Sequence, residues 1–238
     1  MMIIIREKMN YKTFICYDFE TTSPDPERTQ PVQIAAVAIH SRKLEIIPGS
    51  EFESLMKPVF DEEECERLGV DALQDGAVAV HGKTREILED APATEAVWKN
   101  FVDYVNQYNY KNNSFTAPIS VGYNIKNFDN VITKRLCMSD PYKFGPVDKK
   151  FKTQGLFNPI TSVDVYDMMF SLFENDKDVN SLSADNLIRK HMGYSKGQAH
   201  DAMGDVMMTA ELFIRTQKMF RALAGKKKFK DSFKATGN

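Results

Sequence analysis

A chain of 238 residues, 42% hydrophobic and 27% charged, describes an ordinary globular protein with enough apolar material for one well-filled core, and no stretch approaches a membrane span. The formal net charge of −2 does not advertise a nucleic-acid ligand, yet it does not exclude one, because acidic site residues mask basic surface in a net count. Cys16, Cys65 and Cys137 are widely spaced and follow no metal-ligand pattern, so they read as free thiols of a reducing, cytoplasmic compartment.

The apolar run Met1–Ile5 is too short for a signal segment and gives way to Arg6-Glu7-Lys8, which makes residues 1–12 an N-terminal extension. Thr13 to Thr22 (TFICYDFETT) predicts a buried strand. Side chains alternate faces along a strand, so Asp18 and Glu20 project from the same one. Two like charges there are costly unless a cation sits between them or they lie at a solvated strand end. Val32 to Ile39 predicts a second buried strand, and Glu51 to Met56 a third. The acidic run Asp61–Glu66 reads as a solvated helix face, since adjacent like charges repel into water. Val97, Phe101, Tyr104, Val105 and Tyr108 mark a helix over 94–108, with Thr94 as its cap signal.

Ile119 to Tyr123 is a short strand running into Asn124, and a helix follows over 129–138. Residues 140–162 form a long irregular connection carrying Lys143, Lys149, Lys150 and Lys152 interleaved with Phe144 and Phe151, the mixture used by single-strand binders or simply a solvated loop. Ser162–Val165 leads into a helix through Phe173, and two more helices follow over 181–191 and 201–220. With no repeat and no dividing linker, residues 13–220 make one domain and 221–238 a basic tail.

Two further groups bear on the opening acids. Asp129 closes Asn124-Ile125-Lys126-Asn127-Phe128-Asp129 where a strand gives way to a helix, and serves there as an N-cap or a ligand. His200 and Asp205 would diverge by about 140° on one continuous helix. They converge only if His200 lies on the preceding loop and Asp205 on the first turns of the helix.

Asp18-Phe19-Glu20-Thr21-Thr22, Asn124 through Asp129, and His200 with Asp205 resemble, in order and spacing, the three exonuclease motifs of the DnaQ-like (DEDDh) superfamily. The resemblance covers residues 13–219. Gly122-Tyr123-Asn124 and His200-Asp201-Ala202-x-x-Asp205-Val206 look closest to the catalytic domain of bacterial exonuclease I, and Val80-His81-Gly82-Lys83-Thr84 is similar to a segment between the first two motifs. The chain lacks the further domains that follow in exonuclease I, which suggests a small stand-alone enzyme of phage type. The resemblance implies an α/β, RNase H-like fold, with a mixed five-stranded sheet flanked by helices.

It also implies 3′–5′ hydrolysis of single-stranded DNA to nucleoside 5′-monophosphates, with Mg²⁺ or Mn²⁺, two ions per site, held by Asp18, Glu20, Asp129 and Asp205. His200 is then the base for the attacking water. An all-oxygen donor set suits those ions. Phe19, Thr21 and Thr22 fall where the family places contacts to the terminal nucleotide. Asn124 and Phe128 are candidates for flanking the exiting strand, and Asp164 for a helix cap or an extra acid. An RNA-trimming enzyme and a polymerase-associated proofreading subunit are the alternatives, so the expected partners are 3′ ends of single-stranded DNA or RNA, with no membrane.

Overall fold

The computed structural model describes residues 12–138, 147–148, 153–154, 156–184, 186–187 and 201–226. Aromatic and β-branched residues favour extended backbone, and the two runs richest in apolar residues form the central strands β1 (Thr13–Thr21) and β2 (Pro31–His40). They pair antiparallel from Thr13↔His40 to Glu20↔Gln33. On its other side β1 pairs parallel with β5 (Ile119–Gly122), which pairs parallel with the strand Ser162–Asp164.

The outer edge of β2 carries β3 (Glu45–Ile46) and β4 (Phe52–Leu55), both antiparallel to it. The sheet therefore has six strands where five were expected. The difference lies in this edge, which is broken into two pieces. Pro48 has no N–H to give to a ladder, and Gly49 turns the chain at φ +71°. Ser50 fills the gap: its hydroxyl accepts from Ala38 N at 3.1 Å and donates to Ala38 O at 3.3 Å.

Nine of the ten residues of β2 are buried, and Ala35, Ala36 and Ala38 let helices approach both faces closely. One face of the sheet packs Ile15, Tyr17 and Phe19 against α4 (Thr94–Asn106), through Trp98 and Phe101, and against α5 (Asp129–Met138). The other packs Cys16, Ala35 and Val37 against α6 (Val165–Phe173) and the long helix Ala202–Lys226. The α1 (Glu62–Leu68), α2 (Asp75–His81) and α3 (Arg85–Glu89) helices fill the span between β4 and α4. The acidic run is an exposed face of α1, whose N-cap Asp61 accepts from Glu64 N.

Two helix ends differ from expectation. Ala93 is the N-cap of α4, and Thr94, the first helical residue, donates its hydroxyl to Lys57 O at 2.9 Å instead. The long helix runs six residues beyond Phe220, so 221–226 of the expected tail are helical. There Arg221 donates to the Ser41 and Arg42 carbonyls. Among the described residues no helix is long and apolar enough to cross a membrane.

Candidate active site

The alternation of β1 decides where the acids go. Ile15, Tyr17 and Phe19 point to the core beneath α4, so Cys16, Asp18 and Glu20 point to the face covered by the long helix. Cys16 Sγ donates to Val206 O at 3.6 Å, which seats the first turns of that helix on β1 and brings Asp205 beside the acids. Carboxylate oxygens of Asp18, Glu20 and Asp205 lie within 4.8 Å of one another, the only such group of three among the described residues. Beyond Glu20 the register with β2 slips, as Thr21 pairs with Pro31 and skips Val32. Such a bulge ends regular pairing and re-aims the side chains at the rim.

Asp129 comes from the other face. Its turn is tight: a Cβ on Gly122 would lie 2.7 Å from Ile125 Cδ1, and Asn124 takes φ +57°. The first turn of α5 then delivers Asp129 to the end of β1, where its Oδ1 accepts Phe19 N at 3.0 Å. Asp129 is thus no simple cap of its own helix.

Burial and neighbouring charge raise the acids of the cluster. Asp18 is pushed well above the usual carboxylate range by burial and by the charges of Asp129, Glu20 and Asp205. Glu20 rises to about 7 through burial and Asp205, against the opposing charge of Lys83. Asp129 also rises to about 7 through burial, held down in part by the Phe19 amide. Carboxylates forced together in this way bind either protons or a cation. Their donor set fits a hard divalent ion, whose bonds of roughly 2.0–2.6 Å place ligand oxygens on opposite sides about 4–5 Å apart.

The remaining candidates separate by geometry. Phe19 is 4% exposed and its ring meets Tyr17 edge-on in the core, so only its backbone faces the site. Thr22 is fully buried. Its hydroxyl donates to Asp71 O at 2.9 Å and accepts Gln30 N at 3.0 Å, so that hydroxyl is occupied within the fold. Thr21 and Glu20 line a cleft of about 310 Å³ with Pro24, Ala77, Val80 and His81. Asn124 is exposed at the rim, and Phe128 is half-buried against the core. Asp164 is a cap: its Oδ1 accepts Tyr166 N and Asn124 N, and its Oδ2 accepts Lys126 N. His200, Lys143, Lys149, Lys150, Lys152 and the tail beyond 226 lie outside the described residues.

Two features of the rim rest on contacts between residues distant in sequence. His81 is buried, with Nδ1 accepting Lys83 N at 2.9 Å, so Nε2 carries the proton and donates to Thr21 O at 3.1 Å. Lys83, two residues on, reaches Asp201. The segment Val80–Thr84 was the available signal, recognisable as a motif without any indication of what it touches.

Known proteins resemble this chain in sequence and in fold. The model of the exonuclease family RNase_T matches residues 15–213. Over 211 residues the chain is 27% identical to the PolC-type DNA polymerase III of Thermotoga petrophila and 26% identical to that of Thermotoga maritima. The match covers 89% of this chain and 12% of each polymerase. Escherichia coli exonuclease I in complex with a dT13 oligonucleotide superposes with a TM-score of 0.64 at 22% identity, over 90% of this chain and 43% of that one. Cell-death related nuclease 4 superposes at 0.62 and 17% identity, over 88% of this chain and 64% of that one. At such identities the two structures establish a shared fold.

Proposed function

We propose that this chain, which belongs to the RNase_T exonuclease family within the DnaQ-like 3′–5′ exonuclease superfamily, removes nucleoside 5′-monophosphates from the 3′ end of single-stranded DNA. The observation that carries this reading is the convergence of Asp18, Glu20 and Asp205 within 4.8 Å at one end of the sheet. Asp129 is fixed next to them by the Phe19 amide. The likeness to exonuclease I with a bound oligothymidylate supports the choice of a single-stranded substrate.

In this reading Asp18, Glu20 and Asp205 hold divalent cation, with Asp129 supporting a second ion. Two such ions, when bound, stabilise the attacking and leaving oxygens of an in-line displacement. The chain's own groups supply the rest. His200 accepts the proton of the attacking water as its oxygen bonds to phosphorus and the bond to the 3′ oxygen of the preceding nucleotide breaks. The cleft beside Thr21 and His81 receives the terminal nucleotide. Mg²⁺ or Mn²⁺ suits the oxygen donors.

The likeness to PolC-type polymerases supports a second reading, in which the same hydrolysis proofreads a primer end. The test uses matched DNA and RNA oligomers labelled at the 5′ end, with Mg²⁺ and then with chelator. The expected result is a Mg²⁺-dependent ladder on single-stranded DNA that shortens from the 3′ end. A ladder on RNA alone moves the protein to RNA trimming. Selective removal of a mismatched primer terminus favours proofreading, and no ladder on any substrate contradicts the reading.

A further inference from the structure

We infer that Lys83 is a positioning residue of this site: its ammonium ties Asp201 to the rim of the sheet and thereby sets where the helix bearing Asp205 begins. The inference deepens the exonuclease reading and rests on it for its consequence in turnover.

The lysine is placed by its neighbours before its side chain does anything. Gly82, at φ +70°, ends α2 and turns the chain back toward β1. The Lys83 N–H then donates to His81 Nδ1, and His81 Nε2 donates to the carbonyl of Thr21, the residue after Glu20. The main chain of Lys83 is thereby pinned to the end of β1. From there the side chain, only 17% exposed, puts Nζ 3.2 Å from Asp201 Oδ1.

Asp201 is held a second time from the sheet. Gln33, opposite Glu20 in the β1–β2 register, donates Nε2 to the same Asp201 oxygen at 3.3 Å and to Glu53 Oε1 at 2.8 Å. The carbonyl of Asp201 in turn accepts the Asp205 N–H at 3.0 Å, closing the first turn of the helix. An unbroken set of contacts therefore runs from Thr21 through His81, Lys83 and Asp201 to Asp205, joining the two ends of the chain that supply the acids.

An ion pair whose Asp201 side chain is 41% exposed adds little net stability, because water screens it and ordering two side chains costs entropy. What it does well is fix geometry. Carboxylates that converge within 4.8 Å have little positional tolerance, and a misplacement of about 1 Å at a reacting centre costs on the order of 100-fold in rate.

The experiment compares wild type, Lys83→Met, Lys83→Arg, Asp201→Asn and the Lys83→Met/Asp201→Asn double variant on a 5′-labelled oligothymidylate with Mg²⁺. Lys83→Met is expected to lower kcat by about tenfold or more with KM held within about twofold, a loss confined to the transition state. Lys83→Arg restores most of it. The double variant is no slower than the slower single one, because both changes cut the same tether. Wild-type kcat in Lys83→Met, or losses that multiply in the double variant, overturns the inference. Amide exchange across residues 202–209 reads the tether without turnover. Faster exchange in Lys83→Met supports it even if wild type cleaves nothing, an outcome that would sink the exonuclease reading alone, and unchanged exchange overturns it.

Discussion

Two sets of acids in this protein, far apart in sequence, are treated in opposite ways. Asp71, beside the loop that follows β1, accepts Ser23 Oγ at 2.7 Å and Arg28 Nε at 2.8 Å, and the guanidinium holds its carboxyl below the usual range. Asp164, at the same end of the sheet, takes three backbone N–H groups. Among the described residues no donor bonds Asp18 or Glu20, and both are driven upward, Asp18 by burial and the charges of Asp129, Glu20 and Asp205, and Glu20 by burial and Asp205. The fold can evidently satisfy the half-buried Asp71 with a guanidinium and a hydroxyl, and the buried Asp164 with amides. Where it brings Asp18, Glu20 and Asp205 within 4.8 Å of one another, Lys83 is the cation that opposes their charge among the described residues, and a metal ion would supply more.

The largest test of this contrast removes one member of the cluster. Asp205→Ala is expected to lower hydrolysis by roughly a thousandfold or more, the scale of losing charge stabilisation in a transition state, while a thermal melt shows the metal-free protein no less stable. Near-normal turnover in that variant would undo the site. A pH series sharpens the contrast further. Glu20 and Asp129, at about 7 in the fold and about 4 in the unfolded chain, bind more protons folded than unfolded. Metal-free stability should therefore fall as pH rises from about 4 to about 7. Asp71 has the opposite sign: its contribution is present above its unfolded value and is lost as pH falls through its lowered one. Melts with and without Mg²⁺ should consequently diverge as pH rises toward 7, and parallel curves would contradict an ion competing with those protons.

Smaller effects belong to the satisfied acids. Asp164→Ala strips the partner from the amides of Asn124, Lys126 and Tyr166, and is expected to cost about 1–3 kcal/mol by denaturant titration. Catalysis should persist in the folded fraction, and abolished cleavage in fully folded protein would instead make Asp164 an acid of the site. Asp71→Asn should lower the thermal midpoint by only a few degrees and leave cleavage unchanged, since its partner Arg28 is half exposed.

Local rules made part of this legible in the sequence. Strand alternation puts Asp18 and Glu20 on one face from their spacing alone, and the strand-to-helix transition marks Asp129 without the fold. Features that depend on distant partners were not legible. Thr22 sits among residues that suggest nucleotide contact, yet its hydroxyl closes a loop to Asp71, 49 residues away. Lys83 meets Asp201 across 118 residues, and no periodicity announces that meeting. The sixth strand was hidden for a different reason. A two-residue piece such as Glu45–Ile46 is too short to carry a pattern, and its register comes from β2.

If Asp18, Glu20 and Asp205 form a cation site, the protons that Asp18 and Glu20 hold in the metal-free protein must leave as the ion binds. Calorimetric titration of the protein with Mn²⁺ near pH 6.5, in two buffers of different ionisation enthalpy, measures that release. The expected result is saturable binding with net proton release, both lost in Asp205→Asn. Absence of binding, or binding with no proton released and undiminished in that variant, would contradict it.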